Sequence, residues 1–323
     1  MHAHRYPCHP CLSISVRPPD LVVQTVRAHA HGLRRLNGTL TGTRDSGHVT
    51  NSPSSATPHF SGSTAGTAPS HIYVGKVPVF DGSSAEAVDV CLSLIASRQG
   101  GRIATANLDF LALAGSDSEL VDNLRRSSLV VADGMPVVWL AKLKGANRIQ
   151  RTAGVDLVAT ICSRAQEIGG LRVAMFGSSP EVASSAARYL ESLSPTVTIV
   201  ATISPPFREL TLRELDGHGQ EISSAQPDLV LVAMGCPVQE RLIANWHRLA
   251  PSALWVGVGG TFDFFAGERK RAPRVFQMTG TEWVVRMVQD PRRLGRRYLG
   301  RDIPALLRIA PGCAFDRFRR SAR

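Results

Sequence analysis

The chain has 323 residues, 43% of them hydrophobic, with 37 Lys+Arg against 26 Asp+Glu and a net charge of +11. No apolar run approaches the ~20 residues that a membrane-crossing helix needs, so the composition excludes a helical membrane span and predicts one sizeable core. The charge is uneven: residues 1–268 carry 22 basic and 22 acidic side chains, whereas residues 269–323 carry 15 and 4.

Residues 1–70 hold seven of the ten histidines, and from Gly47 onward the sequence is mostly Ser, Thr, Gly, Pro and Ala. Such a segment cannot bury enough apolar surface to offset the entropy of ordering, and a disordered extension is predicted. It contains no apolar region bounded by a small-residue cleavage site, so no signal peptide is expected. Cys8-His-Pro-Cys11 has no second ligand pair at zinc-finger spacing, and the six cysteines do not form a disulfide framework, which fits a reducing compartment.

From Ile72 the pattern changes. Ile72–Phe80 reads as a short strand or hairpin, and Ser83-x-x-Glu86 is a capping box opening a helix to about Ser97. Arg102–Thr105 is a strand leading to Asn107. Ser116-x-x-Glu119 predicts a second capped helix to about Arg126, and Leu129–Ala132 is an all-apolar strand that delivers Asp133 and Gly134. Pro136 suits the first turn of the next helix. A helix is predicted over 155–167, a strand over Arg172–Phe176, and a helix over 180–193 capped by Ser179. The strand Val197–Ala201, a capping box at Thr211-x-x-Glu214, the strand Leu229–Met234, the helix Val238–Leu249 and the strand Leu254–Val258 complete the alternation. Apolar strands alternating with capped helices predict an α/β fold: a doubly wound, mostly parallel Rossmann-like sheet over 71–268, with a basic helical appendage over 269–323. Pro273, Pro291, Pro304 and Pro311 are expected to cut that appendage into short helices.

Open parallel sheets bind ligands beyond the carboxyl ends of their strands. Thr105, Asn107, Asp133, Gly134, Gly177, Ser178, Gly235, Gln239, Gly259, Gly260 and Asp263 all fall within a few positions of a predicted strand end. Helix starts at Ser179 and Pro237 would add backbone donors for a diphosphate.

The segment Gly257-Val-Gly-Gly-Thr-Phe-Asp-Phe-Phe-Ala-Gly-Glu-Arg-Lys-Arg-Ala-Pro273 resembles the signature of the WecG/TagA/CpsF glycosyltransferases, family 26. Thr105-Ala-Asn107, Ala132-Asp-Gly134, Arg151-Thr-Ala-Gly154, Gly235-Cys-Pro-Val-Gln-Glu240 and Thr281-Glu-Trp283 resemble further blocks of that family, in order, between about Ile72 and Ile309. The resemblance implies an inverting transfer of a sugar, N-acetylmannosamine-type first, from a UDP-sugar to a polyprenyl-diphosphate-linked sugar acceptor. It implies work in the cytoplasm on the inner face of the membrane, with a homo-oligomer left open.

Inverting transfer needs a base beside the acceptor hydroxyl and neutralisation of the departing nucleoside diphosphate. Asp133, after an all-apolar strand, is the candidate base; the alternative is an Asp that caps the following helix. By resemblance Thr105 is the second catalytic candidate, a hydroxyl donor to substrate. Arg151, Gln239, Glu240 and Asp263 are candidate binding residues, although Val238 stands where the family commonly has lysine. No D-x-D motif and no His/Cys/Asp cluster occur, so no metal and no cofactor are expected, and Arg286, Arg293 and Arg297 are candidates to meet the diphosphate or an anionic membrane. A nicotinamide enzyme would carry its glycine fingerprint after the first strand, not the last. A nucleic-acid-binding tail would not interleave arginines with Trp283, Met287, Leu294, Tyr298, Leu299 and Leu307, a mixture that suits helices at a bilayer surface, so no nucleic-acid partner is expected. A UDP-glucose-type transfer stays open as the alternative donor chemistry.

Overall fold

The computed structural model describes residues 69–269, 271–273, 276, 281–289 and 291–321, without the side chains of 284, 286, 289, 292, 293 and 318–321. The predicted extension over 1–70 thus falls, save its last two residues, outside the described part, as do the side chains of Arg286 and Arg293.

Strands β1 (His71–Val74) and β2 (Val77–Phe80) pair antiparallel as a hairpin. The other six, β3 (Gly101–Ala106), β4 (Leu129–Ala132), β5 (Leu171–Gly177), β6 (Val197–Ile203), β7 (Leu229–Ala233) and β8 (Leu254–Gly257), form one sheet in the order β4-β3-β8-β7-β5-β6. Every pairing in that sheet is parallel. The predicted doubly wound architecture is the observed one. Alternation along the strands explains the two covered faces. Ile103, Leu129, Val131, Leu231 and Val256 join one core cluster, and Ala104, Ala106, Val130 and Ala132 join the other.

The first cluster is covered by helices α1 (Ser84–Ala96), α5 (Gly154–Ser163) and α6 (Pro180–Leu193). At α1 the predicted capping box is present in both directions, worth about 1 kcal/mol. The helix buries Ala87, Val88, Cys91, Leu92 and Ile95, and each large side chain contributes about 1.5–3 kcal/mol. Packing therefore decides that the helix forms, and the cap decides where it starts.

The opposite face carries the hairpin, α2 (Leu108–Leu113), α3 (Ser118–Arg125) and α4 (Met135–Leu143), with α7 (Leu212–Ser224) and α8 (Val238–Trp246) further along. Trp246 of α8 meets Phe176 of β5 edge-on at 4.9 Å, and Arg241 ties α8 to α3 through Asp117 (2.8 Å) and Glu119 (2.9 Å). Two local expectations change here. Helix α2 does not appear in the predicted pattern, because its six residues are too few for a helical period to stand out. Helix α3 is capped by Asp117, whose side chain accepts from Leu120 N–H, so the Ser116 capping box is not used.

After the short helix α9 (Thr261–Phe265), the C-terminal segment forms α10 (Glu282–Gln289), α11 (Pro291–Arg297), one π-helical turn (Tyr298–Asp302) and α12 (Ile303–Ser321). Pro291 starts a helix as expected, but Pro304 and Pro311 do not cut α12. Pro304 is the second residue after the π-helical turn, in a helix that continues directly from it. Pro311 is carried inside the helix, held by packing of Leu306, Ile309, Ala310 and the buried Cys313 on the second core cluster. No described helix is long and apolar enough to cross a membrane, and Cys91, Cys162, Cys236 and Cys313 are free.

Candidate active site

Strands β3 and β4 lie side by side, with Thr105 opposite Val131 and Ala106 opposite Ala132, so their last residues open on a common edge. Beyond β3, Asn107 caps α2: its Oδ1 accepts from the N–H groups of Asp109 (3.0 Å) and Phe110 (3.4 Å). Beyond β4, Asp133 is half-buried and Gly134 takes φ 152°, a backbone state open to glycine, as the N-cap of α4. The N-cap is thus a glycine, which has no side chain to offer the first turn. The chain then crosses the sheet from β4 toward β5, and on the way Thr152 N–H donates to the Ala132 carbonyl (2.9 Å), which lays Arg151 over the end of β4.

A pocket opens on this edge. Its core wall includes Asn107, Asp109, Asp133, Trp139 and Arg151, and the C-terminal segment closes it with Glu282, Trp283, Arg297, Tyr298 and Asp302. The structure thus brings together four predicted site residues, Asn107, Asp133, Arg151 and Arg297, with Gly134 beside them. Arg151 pairs with Glu282 at 2.9 Å, both side chains mostly buried, so it clasps the segment to the core in addition to facing the pocket. Arg271 pairs in a two-pronged fashion with Asp156 and feels the charges of Asp133 and Glu282. Trp283 meets Tyr298 edge-on at 5.9 Å.

Other predicted residues serve as scaffold. Thr105 is 4% exposed, and its hydroxyl donates to the Gly257 carbonyl (2.8 Å), which joins β3 to β8. Gln239 is 1% exposed, and its Oε1 accepts from Gly235 N–H (3.1 Å) and Gly259 N–H (2.9 Å). It therefore clips two strand-end turns together. Its Nε2 donates to Glu240 Oε1 (2.8 Å), and this pair packs so closely on β8 that a Cβ at Gly257 would lie 2.6 Å from Gln239 Nε2. Glu240 itself is buried. Gly177, Ser178, Gly235, Gly259 and Gly260 do follow strands on the same carboxyl edge, but they do not line this pocket, and Asp263 pairs with Arg269 at 3.0 Å. Asp109, Trp139, Glu282, Trp283, Tyr298 and Asp302 are pocket residues that were not singled out as site candidates. The Thr281-Glu-Trp283 block was the available signal for two of them.

Burial raises the Glu240 carboxyl to about 7, opposed by the hydrogen bond from Gln239. Its folded value lies above its unfolded 4.5, so it contributes stability that is complete below about pH 4.5 and is lost as pH rises through 7. The shift corresponds to roughly 3 kcal/mol. Glu240→Gln keeps the acceptor for Gln239 and cannot ionise. Thermal unfolding followed from pH 5 to 8 is expected to show Tm of the native chain falling by several degrees more than that of the variant; parallel curves would disprove the assignment.

A parallel α/β sheet with a pocket beyond the carboxyl ends of its strands marks the class of protein that binds ligands at that edge. The chain matches the model of the Glycosyl transferase WecG/TagA/CpsF family over residues 72–320 and belongs to that family, so it is a glycosyltransferase. It is similar to the N-acetylglucosaminyldiphosphoundecaprenol N-acetyl-beta-D-mannosaminyltransferase of Bacillus subtilis (strain 168), at 32% identity over 198 residues, covering 61% of this chain and 75% of that protein.

Proposed function

We propose that the chain transfers a hexosyl group, N-acetylmannosamine first among candidates, from a UDP-sugar to a polyprenyl-diphosphate-linked sugar, with inversion, at the inner face of the cell membrane. The observation that carries this reading is the half-buried Asp133 at the end of β4, in one pocket with Arg151 and Arg297. The activity that names the Bacillus subtilis relative supports the choice of sugar and acceptor. In the proposed step the Asp133 carboxylate takes the proton of the acceptor hydroxyl. The freed oxygen pair bonds to C1 of the donor sugar, and the C1–O bond to UDP breaks, its electron pair leaving with UDP. Arg297 neutralises the charge that develops on that diphosphate.

Contact with the bilayer is supported by exposed Val288, Leu299, Leu307 and Phe315 along the C-terminal helices, 60–73% accessible, a distribution suited to an interfacial surface. The nucleic-acid reading loses support because Arg271, Arg297 and Arg301 are engaged with Asp156, Asp109 and Asp302.

The test is a panel of UDP-sugars, UDP-glucose included, with a synthetic polyprenyl-diphosphate N-acetylglucosamine acceptor. UDP-N-acetylmannosamine is expected to give an inverted product at the highest kcat/KM. Preference for UDP-glucose would move the assignment to the alternative donor, and no transfer from any UDP-sugar would remove it.

A further inference from the structure

We propose that Asp302 is a positioning residue for the transfer, which together with Asp109 holds the Arg297 guanidinium in place at the pocket wall before the donor arrives. The inference rests on the reading that Arg297 meets the leaving diphosphate.

Asp302 ends the π-helical turn Tyr298–Asp302, and Ile303 N–H reaches back to the Tyr298 carbonyl. The wider i→i+5 winding brings residues five apart nearer to one face than an α-helix would, and Arg297 and Asp302 are five apart. Arg297 Nε lies 3.2 Å from Asp302 Oδ2, and its Nη1 lies 3.8 Å from Asp109 Oδ2. Its guanidinium carbon also stands 4.9 Å from the Tyr298 ring centre. Of the guanidinium's donors, those at Nε and Nη1 face carboxylates, which leaves the Nη2 amino group for an anion. Arg301 contacts Asp109 and approaches Asp302 at 3.8 Å, yet of these two arginines it is Arg297 that lines the pocket.

Stability does not account for this group. Asp302 is 1% exposed, and neither of its oxygens, nor Arg297 Nε, makes a well-aligned hydrogen bond among the described residues. Buried charges paired so loosely recover little of their desolvation cost, and such arrangements cluster where chemistry needs them. Burial raises the Asp302 carboxyl to about 6, with Asp109 raising it further and Arg297 and Arg301 pulling it down, so near neutral pH it is mostly ionised and able to hold the arginine. A long side chain fixed in advance spends no rotamer freedom when the diphosphate binds.

The test compares the full chain with Asp302→Asn, Arg297→Ala and the double variant, using UDP-N-acetylmannosamine and the lipid-linked acceptor. Rates are expressed per UDP-binding site measured by calorimetry, which discounts misfolded protein. Asp302→Asn is expected to lower kcat by about tenfold to a hundredfold, the usual cost of a misplaced catalytic contact, with KM for the acceptor little changed. The double variant is expected to be no slower than Arg297→Ala alone. If Asp302→Asn fails to fold, Asp302→Glu keeps the charge at a different reach and enters the same comparison. Losses that multiply in the double variant, or a wild-type kcat in Asp302→Asn beside an impaired Arg297→Ala, would overturn the positioning role and leave the Arg297 reading standing. A wild-type kcat in Arg297→Ala would remove that reading and this inference with it.

Discussion

Asp133→Asn is expected to leave the fold and UDP binding intact while lowering kcat by roughly two to four orders of magnitude, the usual share of a general base. The fold is expected to survive because Asp133 is only half-buried and asparagine keeps its size and a hydrogen-bond-accepting oxygen. The chemistry is expected to fail because an amide cannot take the acceptor's proton, and Glu282, on the same pocket, is engaged with Arg151. The loss should fall on kcat, since the proton moves only in the transition state. A variant that turns over within about threefold of wild type, far inside the range expected for a lost base, would release Asp133 from the role and leave the pocket without a named base.

Ending the chain after Ala272 is expected to abolish transfer. That cut takes Glu282, Trp283, Arg297, Tyr298 and Asp302 from the pocket wall and removes the Glu282 carboxylate that pairs with Arg151. It also uncovers the part of the second core cluster on which Leu306, Ile309 and Cys313 pack, so Tm should fall as well. UDP binding and circular dichroism separate loss of chemistry from loss of fold. Two roles of the segment are told apart by the acceptor. A truncated enzyme that recovers full rate on a short, water-soluble acceptor uses the segment for docking alone, whereas one that stays inactive needs its side chains in the pocket. In the native chain, binding to anionic vesicles should weaken as salt rises, because each arginine near such a surface is worth about 1 kcal/mol and is screened. Full activity of the truncated enzyme on membrane-embedded acceptor would sink both roles.

The sequence alone determined the parts governed by local rules. Capped helix starts at Ser83, Ser179 and Thr211 are found where the residue spacing places them, because a side-chain oxygen and a backbone N–H three residues on meet through local geometry alone. The all-apolar β4 and β7 were legible because strands covered on both faces carry no polar alternation. From those two rules came a parallel sheet with its ligand edge at the strand ends, and Asp133 on that edge. Only the tertiary structure decided which strand ends share a pocket. Strand order β4-β3-β8-β7-β5-β6 joins Asn107 to Asp133 and leaves Gly177 and Gly235 elsewhere on the edge, and no local pattern encodes that order. It also decided that Thr105, Gln239 and Glu240 turn inward to hold the turns, since a polar side chain at a strand end has the same local sequence whether it bonds a ligand or a neighbouring backbone. The pocket's second wall comes from residues more than 150 positions away, Arg297 and Asp302 closing on Asp109 and Asp133. Long-range contacts of this kind are fixed by how the α12 apolar face packs on the core, a matter of shape and volume that the spacing of arginines does not contain.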